Sequence, residues 1–205
     1  DSLYLALLMA AAVCATRIRS PRWSIPTSVL LLSLATFTKQ SGAIFFLPLL
    51  LGVYRRHGLL YSVYFLLYSA LFAALPTVIL VILTDGWFWI YTVALPAGHS
   101  IYWQSFLYGA ILEIFAAYPV VIAGISVWLS HGRLVGPRPS HMPWSLLALT
   151  AIISSILMRS HSGSFYNAFL ACALFIPIPF VKSLKELEER LRTTQSGSFW
   201  CGWAY

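Results

Sequence analysis

The sequence predicts an all-α protein, a polytopic bundle of transmembrane helices with about seven crossings, one pair of them a short-helix hairpin, and an amphipathic helix at the C-terminal end. Three observations predict it. Of 205 residues, 60% are hydrophobic and only 9% are charged, against about 25% charged in soluble domains. The apolar residues fall into long runs separated by short basic or aromatic loops, as membrane-spanning helices require. Threading those runs through a bilayer puts eleven of the 13 Lys and Arg residues on one side, the asymmetry that marks a cytoplasmic face.

The first run is Ser2 to Thr16. At ~1.5 Å per residue it is short for a ~30 Å hydrocarbon core. The chain opens at Asp1 without Met and runs straight into this segment, so it is expected to be a fragment that lacks earlier residues. A basic loop follows with Arg17, Arg19 and Arg22. The run from Trp23 to Tyr54 then holds one charge, Lys39. It is too long for one span and short for two. A single span would part Arg17, Arg19 and Arg22 from Arg55 and Arg56. A hairpin of two short helices keeps all five on one side, with its tip at Thr38 to Gly42, where Ser41 and Gly42 can turn the chain.

Leu59 to Thr84 is a full-length span, and the Pro76 within it is tolerated as a kink. Asp85 to Trp103 is a loop rich in Trp and Tyr, residues that settle at headgroup level. Gln104 to Ser130 is the next span and contains Glu113. A polar loop from His131 to His141 leads into a span from Pro143 to Met158, a short turn from Arg159 to Ser164, and a return span from Phe165 to Val181. Lys182 to Arg192 repeats Leu184, Leu187 and Leu191 at helical spacing, the pattern of a helix lying on a membrane surface. The expected organisation is a membrane core over residues 1–181 and a cytoplasmic helix and tail over residues 182–205.

Composition also excludes readings. The net charge of +7 is accounted for by cytoplasmic loops, so no nucleic-acid partner is expected. Cys14, Cys172 and Cys201 are too scattered for a disulfide framework or a metal cluster. No Gly-rich phosphate loop, His-Glu-x-x-His or nucleophile elbow is present.

What gathers on the other, outer face is Asp1, Lys39, Asp85, His99, Arg159, His161 and Asn167. Cations, imidazoles, carboxylates and an amide suit an anionic headgroup, with a carboxylate at hand for a metal or a proton. Each residue also has a plainer role. Lys39 could snorkel to headgroups, Arg159 sits at a helix C-terminus where a cation is favoured, Asn167 can cap a helix, and Asp85 precedes Gly86 as turn residues do. Glu113, inside a span, is expected to pair or to sit protonated, and a carboxyl at that depth is also a functional candidate.

Four stretches resemble those of the GT-C superfamily of integral-membrane glycosyltransferases, in particular the dolichyl-phosphate-mannose protein mannosyltransferase and lipid A aminoarabinose transferase group. They are Asp1-Ser-Leu-Tyr-Leu-Ala-Leu-Leu, Leu34-Ala-Thr-Phe-Thr-Lys-Gln, Asp85-Gly-Trp-Phe-Trp-Ile-Tyr running on to Gly98-His99, and Arg159-Ser-His-Ser-Gly-Ser-Phe-Tyr-Asn. The resemblance implies a bundle that moves a sugar from a polyprenyl or dolichyl phosphate to an extracytoplasmic glycan, lipid or protein acceptor, with inversion, in a bacterial inner membrane. It implies that Lys39 binds the lipid phosphate. Asp1 would be catalytic, orienting substrate or holding an optional divalent metal ion. His99, Arg159 and His161 would contact phosphate or sugar, and Tyr166 and Asn167 would line the pocket. The family's principal acidic residue lies in an earlier loop, before the point where this chain begins, so the fragment is expected to be inactive alone. The rival expectation is a transporter or flippase for an anionic lipid or solute.

Overall fold

The computed structural model describes residues 1–100, 104, 112, 113, 116, 142–160 and 169–201. It is all-helical, and no strand occurs among the described residues. Helix α1 covers Ser2–Arg17, α2 Pro21–Thr38 and α3 Phe46–His57, with a 3-10 turn, Gln40–Phe45, between the last two. Helix α4 covers Leu59–Leu83 and α5 Trp87–Ala97. Further along the chain come α6 (Met142–Ser160), α7 (Leu170–Phe175) and α8 (Pro177–Cys201).

Helices α1 and α2 form the tightest pair. α1 buries Tyr4, Leu8, Ala11, Ala12 and Ala15, a stripe at helical period. α2 answers with Ser24, Ile25, Ser28, Val29, Leu32 and Ala35. Small residues on both faces let the two backbones approach closely. The buried hydroxyls are satisfied within the pair. Ser28 donates to the Ile25 carbonyl at 2.9 Å and Ser33 to the Val29 carbonyl at 2.8 Å, while Ser24 reaches across to the Cys14 carbonyl at 2.8 Å.

Contacts at the helix ends fix the directions. Ser24, early in α2, meets Cys14, late in α1. Lys39, just past α2, meets Asp1, just before α1. The two helices are therefore antiparallel. α2 stops at Lys39, whose backbone is extended, and the 3-10 turn reverses the chain into α3. α3 returns alongside, and at its far end Arg56 donates to the Ala15 and Thr16 carbonyls at 3.1 and 2.8 Å. Those are last-turn carbonyls of α1 that have no partner within the helix, and a cation there also suits the helix dipole. The break at Lys39 is thus where the charge pattern puts it, with Arg17, Arg19, Arg22, Arg55 and Arg56 together at the opposite pole.

Gly42 makes the reversal compact. A Cβ there would stand 3.0 Å from the Cα, N and Oγ1 of Thr36. The turn folds directly onto the last coil of α2, and two of the three atoms in the way are backbone.

α4 is 25 residues long. Its first half packs into the bundle through the buried Ser62 and Phe65, and Phe72 of the following turn also lies against the core. A π-turn, Ala70–Ala74, precedes Pro76, and the Leu75 N–H bonds the Ala70 carbonyl five residues back. Proline has no N–H and its ring collides with the carbonyl four residues earlier, so a widened turn before it relieves both faults. The same solution recurs in α5, where the π-turn Ile90–Ala94 precedes Pro96. Between them the chain turns at Asp85 and Gly86. The Gly86 N–H bonds the Val81 carbonyl at 2.8 Å and the Asp85 N–H the Ile82 carbonyl at 3.2 Å, the paired bonds of a Schellman motif. Asp85 takes the left-handed position, φ 48°, which Asp tolerates better than most residues. Its plainer role, a turn residue, is what the structure shows.

No residue from Ala70 to Ser100 is buried, although this arm is almost wholly apolar. α4, and α6 from Pro143, are the two described helices long and apolar enough to cross a membrane.

α6 packs on α3, with Gly52 against Pro143 near its start. Trp144 lies under Lys182 of α8, the Nζ 5.6 Å from the ring centroid. The start of α6 therefore belongs to the basic pole, and its last residues, Arg159 and Ser160, lie at the other end. α7 lies on α6 through Cys172, whose thiol meets the Ser155 hydroxyl at 3.1 Å. The rings of Phe45 and Phe175 meet at 5.4 Å and join the 3-10 turn to α7.

Two features differ from the sequence expectation. The stretch from Asp85 to Trp103, expected to be a loop, holds helix α5 from Trp87 to Ala97. The return span and the surface helix were expected to part at Val181. The helices part instead at Ile176, before Pro177, and α8 runs without a break through Lys182 to Cys201. Pro177 and Pro179 explain the shift, since proline is accommodated at a helix start and not within it. The loop from His131 to His141 and nearly all of the expected span from Gln104 to Ser130 lie outside the described residues.

Gly42→Ala is expected to lower stability by about 1–3 kcal/mol, the usual cost of an overpacked site. Thermal unfolding of the purified protein in detergent measures it, and an unchanged midpoint would contradict the close packing of Gly42 on Thr36.

Candidate functional site

The pole opposite the basic residues carries two ion pairs. At the first, α1 supplies Asp1 and Tyr4, and the break after α2 supplies Lys39 and Ser41. The Lys39 ammonium lies 3.0 Å from the Asp1 carboxylate, with the two side chains 19% and 37% exposed. It also stands over the Tyr4 ring, 5.8 Å from the centroid, within the range of a cation–π contact. Ser41 Oγ donates to the Tyr4 hydroxyl at 3.4 Å. Asp1 occupies the N-cap position of α1 but makes no side-chain cap bond to its N–H groups.

Lys39 is outside both helices, at the tip. Burial pushes its ammonium below the usual lysine range, and the nearby carboxylate does not reverse that. A snorkelling lysine would extend into solvent. This one folds back over an aromatic ring toward a carboxylate, so its position is set by contacts within the protein.

The second pair joins Arg159, at the end of α6, to Glu113. Arg159 Nε lies 2.6 Å from Glu113 Oε2 and Nη2 lies 2.9 Å from Oε1. This is the two-pronged geometry in which arginine matches a carboxylate. The side chains are 26% and 29% exposed. Sequence reasoning set Arg159 aside for substrate and expected Glu113 to pair or be protonated. The structure makes each the other's partner.

Of the remaining sequence candidates, His99 is exposed beyond the end of α5, on the arm that continues α4. His161, Tyr166 and Asn167 lie outside the described residues. Tyr4 and Ser41 were missed. The signals for them are local: Tyr4 is one helical turn after Asp1 and shares its face, and Ser41 is two residues past Lys39 in the same turn.

Chemically, the first cluster offers an ammonium, two hydroxyls and one carboxylate. That set can grip an anion through Lys39, with the hydroxyls as further donors. As a metal site it fits poorly. Asp1 is its one carboxylate and already faces a cation at 3.0 Å, and no group of three or more His, Cys, Asp or Glu converges among the described residues.

No protein-family model, curated protein or solved structure matches this chain.

Glu113→Gln keeps the shape of its side chain and removes the negative charge that faces Arg159. It is expected to cost about 1–2 kcal/mol, reduced from the fully buried value because both groups are partly solvated. The double variant Glu113→Gln/Arg159→Met is expected to lose less than Glu113→Gln alone. Denaturant unfolding of the set in detergent checks this, and strict additivity would show that the pair is not coupled.

Proposed function

We propose that this chain is part of a membrane-embedded glycosyltransferase of GT-C type, taking a sugar from a polyprenyl or dolichyl phosphate. The observation that carries the reading is the position of Lys39. It is the one charge in its apolar run, held at a helix break, at the pole opposite the basic residues, among hydroxyl groups. A cation so placed is costly to keep in an apolar chain unless something anionic uses it.

In this reading the helices cross the membrane about seven times, with the Lys39 pole outside the cytoplasm. The unburied apolar arm from Ala70 to Ser100 supports a lipid surround, since water would penalise that much exposed apolar surface. The acceptor's hydroxyl or amine attacks the anomeric carbon and loses its proton. The bond from that carbon to the phosphate oxygen breaks, and the polyprenyl phosphate leaves with the electron pair. Lys39 stabilises the negative charge that builds on the phosphate as it departs. His99, His161, Tyr166 and Asn167 fall to the sugar and the pocket wall through the same resemblance. Asp1 holds Lys39 in place and orients substrate, and no step here depends on a metal.

One observation favours a second reading, a transporter or flippase for an anionic lipid. The Glu113–Arg159 pair joins a carboxylate within an apolar segment to a cation at a helix end, and paired charges inside bundles often mark solute or ion paths.

Binding separates the proposal from a purely structural role for Lys39. In nanodiscs the protein is expected to bind polyprenyl phosphate saturably, and Lys39→Ala to weaken binding about tenfold or more, the worth of one charge-assisted contact. Wild-type affinity in Lys39→Ala would sink the phosphate role. A sugar-labelled donor then distinguishes the two classes, since a transferase passes label to an acceptor and a flippase does not.

The orientation is tested by thiol labelling in a background with Cys14, Cys172 and Cys201 replaced. Ser41→Cys and His99→Cys are expected to react from outside intact cells, and Arg55→Cys only after permeabilisation. Labelling of positions 41 and 55 from the same side would rule out the hairpin.

A further inference from the structure

Tyr4 carries a hydroxyl that the fold itself does not explain. Its side chain is buried, at 4% exposure, in the α1 stripe that faces α2. A phenylalanine would fill the same space and present the same ring face to the Lys39 ammonium. What the hydroxyl adds is polarity in a buried place, and a buried hydroxyl is costly unless it is well bonded. Its bond is poor. Ser41 Oγ approaches at 3.4 Å, against the usual 2.5–3.0 Å for an O–H···O bond. This long contact is the one hydrogen bond of the Tyr4 hydroxyl among the described residues, and either hydroxyl can donate in it, so the phenolic O–H can turn to a better acceptor. The hydroxyl lies at the pole where Lys39 is held, bonded to Ser41 of the same turn, with the ammonium over its ring.

We propose that Tyr4 is a second donor to the anion that Lys39 binds, so that a phosphate group is held by an ammonium and a phenolic O–H together. This rests on the reading of Lys39 given above. Ser41 is a positioning residue in the arrangement. Its hydroxyl supports the Tyr4 oxygen from the turn, which leaves the phenolic proton for the ligand. The shared chemistry is a phosphate oxygen, whether it belongs to a lipid headgroup or to free phosphate.

The test is a titration of the protein in nanodiscs with polyprenyl phosphate, comparing wild type with Tyr4→Phe, Ser41→Ala, Ser41→Thr and Lys39→Ala. Tyr4→Phe keeps the ring and is expected to lose about tenfold in affinity, the worth of one hydrogen bond to a charged group. Ser41→Ala is expected to lose about two- to threefold, and Ser41→Thr, which keeps the hydroxyl, to restore binding. Should Tyr4→Phe fold poorly, the pair of Ser41 variants carries the test with the ring untouched. Wild-type affinity in Tyr4→Phe, with Lys39→Ala impaired, overturns the role of Tyr4 and leaves the Lys39 reading intact. Wild-type affinity in Lys39→Ala overturns both. Competition by inorganic phosphate, weakened in Tyr4→Phe to the same degree, identifies the phosphate group as sufficient. Its failure to compete, with Tyr4→Phe still impaired toward the lipid, assigns the site to a lipid headgroup.

Discussion

The contact between Lys39 and Asp1 closes the α1–α2 pair at the pole where α2 breaks. At the other pole the same pair is closed by hydrogen bonds, Ser24 to the Cys14 carbonyl and Arg56 to the last carbonyls of α1. The two closures differ in kind. One uses neutral or capping bonds between elements that must meet. The other sets a charge against a charge, with both groups still partly exposed. A partly solvated ion pair adds little to stability, usually under about 1 kcal/mol. The small-residue packing of α1 on α2 and the seating of Gly42 on Thr36 already determine where the tip lies. The ion pair is better understood as the consequence of placing a charge at that tip than as the force that makes the tip.

The distribution of charge around the bundle follows from the same directions. Arg17, Arg56 and Lys182 come from three helices, and contacts among α1, α3, α6 and α8 bring them to one pole. Lys39 and Arg159 are at the other, and each has a carboxylate partner there. The cations of the basic pole outnumber its acids, and headgroups or water can serve them. The two at the opposite pole are individually matched. Matching a cation costs a sequence a carboxylate as well, which in a chain with six Asp and Glu residues is a large share of what it has.

The arrangement of the poles could be read from the sequence because it rests on charge bias along the chain, a signal that survives without side-chain geometry. The break at Lys39 followed from the same count, and the Asp85 turn from its glycine neighbour. What could not be read was who meets whom. Glu113 and Arg159 lie 46 residues apart, and nothing in the spacing ties them. Tyr4 reads as one more apolar residue in an apolar helix until Lys39 is seen above its ring. The boundary before Pro177 was misplaced by following the change in composition at Lys182, where hydropathy changes and the helix does not. The π-turn before Pro76 was foreseen only as a kink, since a proline gives the fault and not its remedy, and the helix that carries Pro96 was expected to be a loop.

The Lys39 cluster also sets the terms on which an anion could enter. The ammonium is not idle. An incoming group must take it from Asp1 or share it. A carboxylate carries one negative charge, as does the phosphodiester of a sugar-linked donor, while the polyprenyl phosphate monoester left after transfer carries up to two near neutral pH. At equal distance the attraction scales with that charge. Exchange would therefore favour the departing monoester, and favour it more where water is scarce and the attraction is screened less. The carboxylate holds the lysine at the tip, and on the proposed reading it would give way when a phosphate arrived. Burial makes the ammonium easier to lose, and a retained anion opposes that loss. On the proposed reading Asp1 and the monoester would be alternative partners of one cation, and the monoester the stronger.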